Sequence, residues 1–269
     1  MKKFEVEISI IVGTYNEKKK NIEQLISSII NQKFKNYELI VIDDSDNAII
    51  REFWQLELKK VPVSTYIKTG KKQPLAKACN FGVKHAKGEF IARIDSDDYM
   101  DYNRLSKQYD YLTKNRATRL IGTGVIKIDT DSTVLEKRTY PSGNNIPYYL
   151  FFMNPFAHST FMFYKKDFVK LNLYDEETRH AEDYDLVMKY FYNSYRIENL
   201  DEPLVYLRMP PASRRPRNHY IYILKVRLRY FKIDRYLFHR IIGILLGSLV
   251  VIAPNFIRDI IYKFYNRVF

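Results

Sequence analysis

Asp95, Asp97 and Asp98 crowd into four consecutive positions at the end of an apolar run from Phe90 to Ile94. Like charges held this close repel one another, and each disfavours ionisation of the next. A chain that gathers carboxylates at the exit of a buried strand has a use for a cation there. Hard divalent ions such as Mg²⁺ or Mn²⁺ favour carboxylate oxygens and often share them with substrate phosphates. The carboxyl ends of strands are also where open α/β sheets bind their ligands. The competing reading is an Asp-rich turn that caps the following helix. Two more acidic clusters stand at element boundaries: Asp43, Asp44 and Asp46, then Glu182, Asp183 and Asp185. Acids in a first helical turn also offset the helix dipole, which is the alternative role for Asp183.

The elements that must position these groups are legible as alternating strand and helix signals. Ile8 to Val12 is a β-branched strand ending at Gly13, and Tyr37 to Ile42 is a second buried strand. Val63 to Ile67 and Phe90 to Ile94 complete a set of four. Between them, Asn16 is placed to cap a helix carrying Ile22, Leu25, Ile26, Ile29 and Ile30 at helical spacing. Further helices are expected over 48–60 and from Pro74 to Ala86. Near-continuous apolar strands between helices imply an α/β fold with a mainly parallel sheet covered on both faces. The first two acidic clusters then fall on one sheet edge. Beyond it, a helix is expected over 101–115, strands over 120–128 and 134–139, a helix over 182–192 and an extended segment over 196–207. The aromatic, Pro-containing stretch from Tyr140 to Phe163 reads as an acceptor-side wall.

Four motifs in order resemble glycosyltransferase family 2, the inverting nucleotide-sugar transferases of GT-A fold. They are Thr14-Tyr15-Asn16-Glu17, Ile42-Asp43-Asp44-Ser45-Asp46, Ala92-Arg93-Ile94-Asp95-Ser96-Asp97-Asp98 and Glu182-Asp183-Tyr184-Asp185-Leu186. Asn154-Pro155-Phe156-Ala157-His158-Ser159-Thr160 is similar to a segment of bacterial capsule and O-antigen members. The resemblance covers about residues 7–210. It implies that Asp44 accepts a hydrogen bond from the base, uracil being favoured, with Thr14 and Tyr15 lining the same pocket. Glu17, Arg93 and Ser96 fall in the nucleotide-sugar-binding set. Asp97 is implied as a direct ligand of Mn²⁺ or Mg²⁺, and Asp95 faces the metal or the ribose. Asp183 is implied as general base, with Glu182 orienting the acceptor or supporting that base. His158 and Arg208 are placed toward the diphosphate. Their alternatives are a packed neutral histidine and a salt bridge to the body. Lys72 and Lys77 are phosphate candidates or solvated surface lysines.

The loop Asp43-Asp44-Ser45-Asp46 lacks the common Gly-Ser-Thr insertion, which leaves Asp46 without an assigned role. No Gln-x-x-Arg-Trp motif occurs, the one tryptophan being Trp54, so addition of one sugar per encounter is expected over polymer extrusion.

Charge divides the chain. Residues 213–269 carry twelve basic residues against two acidic ones, while the whole chain stands at +13. Pro210-Pro211 marks the boundary, so the expected organisation is a catalytic domain over 1–212 and a basic, apolar helical tail over 213–269. The apolar run Ile241 to Ala253 is short of the roughly 20 residues a spanning helix needs. Cations on both sides favour lying on an anionic membrane surface; packing on the catalytic core and a true span are the alternatives. One cysteine, Cys79, excludes an internal disulfide and a cysteine-cluster metal site. With no leader visible at Met1–Glu7, the expected location is cytoplasmic, at the inner face of the cell membrane. The expected partners are a UDP-sugar and a glycan or lipid-linked acceptor, without nucleic acid. The competing classes are a nucleic-acid binder using the basic, tyrosine-bearing tail and a sugar nucleotidyltransferase, which lacks its usual Gly-rich loop here.

Overall fold

The computed structural model describes residues 6–209, 216–258 and 260–261. The Pro210–Ser213 boundary therefore lies outside the described residues. Strands β1 (Ile8–Thr14), β2 (Tyr37–Asp43), β3 (Ser64–Lys68) and β4 (Phe90–Arg93) alternate with helices α1 (Lys19–Ile30), α2 (Ala48–Leu58) and α3 (Leu75–His85). They follow the sequence expectations to within a few residues. β1 pairs in parallel with β2 and β4, and β2 with β3. The parallel half sends the ends of β1, β2 and β4 to one edge, where the acidic loops begin.

The second half is built differently. After β5 (Tyr99–Met100) and α4 (Arg104–Lys114) come β6 (Thr118–Ile128), β7 (Val134–Arg138), α5 (Ile146–Leu150), β8 (Met162–Tyr164) and α6 (Lys165–Lys170). Then follow α7 (Glu182–Tyr192), β9 (Arg196–Arg208), α8 (Arg217–Arg229) and α9 (Leu237–Ile252). Along the sheet the order is β3-β2-β1-β4-β8-β6-β9-β5, with β7 on β6. β8 pairs antiparallel with both β4 and β6, joining the halves. The sequence reading placed no strand at β5 or β8, since two or three residues carry no period to detect.

The core follows from the apolar pattern. Ile22, Leu25, Ile26 and Ile29 of α1 are buried against Ile8, Ile10 and Val12 on one face of the sheet. Ala76, Cys79 and Val83 of α3 pack with Ile11, Ile40 and Ile42 on the other. One local expectation fails. Asn16 does not cap α1, because the N-cap position belongs to Lys18. Asn16 instead adopts φ 50°, a left-handed conformation Asn tolerates. It bridges to the second acidic loop, its Nδ2 donating to Asp46 Oδ1 at 2.6 Å.

The tail described here is a helical hairpin seated on the body. Arg227 donates to Gly243 O at 2.6 Å and also to Phe152 O. The Arg240 guanidinium stacks over Phe151 at 4.2 Å and pairs with Asp234 at 2.7 Å. A Cβ at Gly243 would collide with Phe151 O, so α9 makes a close backbone approach there. The hairpin thus packs on the core while leaving Phe238, Ile241, Leu245, Leu249 and Ile252 exposed on its outer side. Among the described residues, no helix is long and apolar enough to cross a membrane.

Gly122 on β6 lets the segment 155–160 lie against the sheet. A Cβ there would run into Asn199 Oδ1 and stand 2.8 Å from Phe156 Cδ1. Gly122→Ala should therefore cost about 1–3 kcal/mol of stability by overpacking, read as a lowered denaturant midpoint with unchanged slope.

Candidate active site

Three loops converge at the strand ends. The loop after β4 carries Asp95, Asp97 and Asp98, whose carboxylate oxygens lie within 4.8 Å of one another. Arg93, buried at the end of β4, forks onto Asp95: Nη1 donates to Oδ2 at 2.8 Å and Nη2 to Oδ1. Burial opposes charge on Arg93, but Asp95 first, with Cys79 and Tyr174, holds the guanidinium ionised above the usual arginine range. Ser159 sits between the acids. Its Oγ accepts from the Asp95 amide at 2.9 Å and lies in hydrogen-bond contact with Asp95 Oδ2 and Asp98 Oδ2.

Arg208, at the end of β9, closes the other side. Its amide donates to Asp98 Oδ1 at 2.7 Å, and its Nε to Asp97 O at 2.9 Å. The remaining guanidinium nitrogens hold Asp129 O, Thr130 O and Gln24 Oε1. The sequence reading aimed Arg208 at the diphosphate. In the structure its guanidinium bonds protein acceptors, and its amide and Nε hold the acidic loop. Underneath, buried Arg104 of α4 donates to Arg93 O at 2.7 Å. It also pairs with Gln108, whose amide reaches Thr160 O at 2.7 Å. α4 thereby ties the end of β4 to the 158–161 turn.

The electrostatics follow from this crowding. Asp97 is pushed up to about 6 by burial, then by Asp95 and Glu17. Asp98 is driven well above the carboxylate range by burial, Asp95 and Asp97, against the hydrogen bonds from Ser159 and Arg208. Among the described residues, Asp97 alone of the three acids takes no ion pair or hydrogen bond on its carboxylate from another residue. A hard, oxygen-preferring donor set whose mutual repulsion is only partly relieved suits a divalent cation. Asp97, with Asp95 beside it, is placed to hold one.

The second acidic loop lies alongside. Asp44 is buried and accepts from the Gln73 amide at 3.0 Å, Gln73 Nε2 at 3.3 Å and the Thr69 hydroxyl. Thr14 is buried with its hydroxyl unpaired. Tyr15 is exposed, donates to Asp46 at 3.1 Å and carries the Lys72 ammonium 4.4 Å over its ring. Glu17 accepts from Asn21 at 2.7 Å and from Ser96 at 3.3 Å, which links the first motif to the third. Lys77 lines a cavity of about 360 Å³ with Asn80 and with Thr69 and Gln73, the two partners of Asp44.

The third loop opens α7. Asn154 Nδ2 donates to Asp183 Oδ2 at 2.9 Å, so the Asn-Pro segment orients the candidate base. Glu182 is pushed up to about 7 by burial first and then by the Asp183 charge. His158 lies 2.7 Å from the Tyr174 hydroxyl. Burial, then Arg93, holds its ring well below the usual value, hence neutral. That matches the packed-histidine alternative. Asn154, Ser159 and Arg104 are the site residues for which sequence reasoning gave no role. Asn154 and Ser159 stood inside a quoted motif; Arg104 had no signal, being one arginine among many on an amphipathic helix.

A family model described as Glycosyl transferase family 2 matches residues 9–171. The chain belongs to that family. Similar proteins include a putative glycosyltransferase EpsE of Bacillus subtilis, 32% identical over 84% of this chain and 89% of the relative. The O-antigen biosynthesis glycosyltransferase WbnJ of Escherichia coli is 32% identical over 77% and 81%. A UDP-Gal:α-D-GlcNAc-diphosphoundecaprenol β-1,3-galactosyltransferase of Escherichia coli is 27% identical over 90% of each chain. Among solved structures, S. aureus TarS 1–349 in complex with UDP superposes with a TM-score of 0.69 at 22% identity, covering 89% of this chain and 70% of that one. The fold is therefore GT-A, as the motifs implied, and this family 2 protein is a glycosyltransferase.

The raised carboxyls set the pH response. Their folded values exceed the unfolded ones, so their stabilising protons are fully held below about pH 4 and are lost as pH rises through about 6 for Asp97 and about 7 for Glu182. The metal-free enzyme should accordingly lose part of its melting temperature between pH 5 and about 7.5. Mn²⁺ should return more of it at the upper end, as differential scanning fluorimetry across pH will show.

Proposed function

We propose that this glycosyltransferase moves one sugar, with inversion, from a UDP-sugar to a lipid-linked glycan in bacterial surface polysaccharide assembly. The carrying observation is that one short segment touches two acidic sets: Ser159 contacts Asp95 and Asp98 after β4, and Asn154 holds Asp183 at the start of α7. TarS is solved with UDP and with UDP-GlcNAc, and one relative uses UDP-Gal and a diphosphoundecaprenol-linked acceptor. Those names favour uridine and a lipid-linked acceptor here.

A divalent cation, Mn²⁺ or Mg²⁺, held by Asp97 and Asp95 would neutralise charge on the departing diphosphate. The other roles belong to the chain. Asp44, fixed by Thr69 and Gln73, accepts from the base, and the unpaired buried hydroxyl of Thr14 finds its partner there. Tyr15 offers its ring face. Arg93 sets the angle of Asp95 against the ribose. Asp183, oriented by Asn154, takes the proton from the acceptor hydroxyl as that oxygen attacks in line. One displacement at the anomeric carbon inverts it, and the proton ends on Asp183.

Asp183→Asn should lower kcat by about 10²–10⁴ while UDP with Mn²⁺ still raises the melting temperature. Wild-type turnover in that variant would remove the base assignment. Asp97→Asn should show the opposite pattern, losing the Mn²⁺-dependent part of donor binding.

The hairpin of α8 and α9 supplies the peripheral membrane attachment in this reading. Phe238, Ile241, Leu245, Leu249 and Ile252 recur at helical spacing on its exposed side, with Lys232 and Arg235 exposed beside them. The enzyme should float with phosphatidylglycerol-containing vesicles, and Leu245→Glu with Leu249→Glu should abolish flotation without lowering the melting temperature. Unchanged flotation would refute this face as the contact.

A further inference from the structure

We propose that Arg229, on the C-terminal hairpin, is a positioning residue for transfer, a strap that holds the base-bearing turn of α7. The inference rests on the reading of Asp183 as the base.

Asp185 stands two residues after Asp183 in the same first turn, and its side chain is completely buried. A buried carboxylate needs a partner, and losing that partner is costly. Arg229 provides it from a different element: Nη1 lies 2.9 Å from Asp185 Oδ1. The same nitrogen reaches Asp175 Oδ2 at 2.5 Å and Thr178 Oγ1 at 3.4 Å. One guanidinium nitrogen therefore gathers the end of α8, the 175–178 loop and the first turn of α7. Lys189 also approaches Asp185, at 3.4 Å, and donates to Leu173 O at 2.8 Å, so it ties α7 to the start of the same segment, but it brings in nothing from the hairpin.

The strapped segment is the one that matters for the acceptor. Tyr174, immediately before it, contacts His158, and its backbone is held by the Asn80 side chain through N–H and C=O. Ala181 N–H reaches back to Thr178 O at 3.4 Å, so the loop leads directly into Glu182 and Asp183. Asn154 fixes Asp183 from the far side. The base is thus set between two anchors, one from the body and one from the hairpin. Donor-side residues, Asp44 and the 95–98 cluster, make no contact with Arg229. The strap should accordingly govern turnover and leave donor binding alone. A base displaced by about 1 Å can cost about 10²-fold in rate.

The test uses the full-length enzyme with UDP-galactose, UDP-glucose or UDP-GlcNAc, whichever the wild type uses, and a diphosphoundecaprenol-linked GlcNAc acceptor. Arg229→Ala should lower kcat about 10- to 100-fold with donor KM within about twofold. Amide exchange should accelerate over 175–185 and stay unchanged over 93–98. Arg229→Lys should recover part of the rate. If Arg229→Ala proves poorly folded, Asp175→Asn, which removes one arm, should show the same pattern more weakly. Unchanged kcat, unchanged exchange over 175–185, or a donor KM rising as much as kcat falls would each overturn the proposal. Full turnover in Asp183→Asn would instead fell the base assignment, and the exchange data would still judge the strap.

Discussion

Everything at the strand ends answers one constraint: several carboxylates must share a partly dry space. Burial first, and then mutual repulsion, raises Asp97, Asp98 and Glu182 above their ordinary range. The fold meets that cost with fixed partners. Arg93 forks onto Asp95, Ser159 bridges Asp95 and Asp98, and the Arg208 amide caps Asp98. Each is held in turn, Arg93 by its place at the end of β4 and Arg208 by the carbonyls at Asp129 and Thr130. A network of this kind keeps acids close and ready without letting them splay apart. The residual repulsion is what a bound cation would relieve.

The two halves of the sheet divide the labour. The parallel half delivers the loops assigned to the donor in the proposed function, because its strands end on one edge. The antiparallel half, entered through β8, brings the Asn154–Thr160 segment under that edge. Gly122 makes the contact close, and Asn199 holds Pro155 O from β9 at 2.9 Å. From there Asn154 reaches Asp183, so a residue far from α7 in sequence orients the group that begins it.

The hairpin of α8 and α9 is less an appendage than a fourth wall. Its arginines serve two ends at once. Arg227, Arg229 and Arg240 spend their guanidinium groups on body carbonyls, acids and aromatic rings, while exposed Lys232 and Arg235 face outward beside the apolar ridge. The strong positive charge of the tail was plain in the sequence, but its count did not tell which cations bind the protein and which are free for a surface. Burial decides that, and burial is a tertiary quantity.

By itself the sequence determined the alternating elements of the parallel half, the acidic loops at their ends and the family, because period, turn residues and short motifs are local properties. β1 to β4, α1 and α7 form where apolar spacing put them. It could not show β8, whose three residues carry no period, nor that Asn16 would serve Asp46 instead of α1. It pointed Arg208 at phosphate, whereas the folded chain places that guanidinium among backbone carbonyls. Asn154 on Asp183, Arg104 beneath Arg93 and Arg229 on Asp185 join residues 29, 11 and 44 positions apart. Only tertiary structure decided those pairings, since a charge or an amide finds its partner by where the backbone carries it, and that path is set by the packing of the whole core.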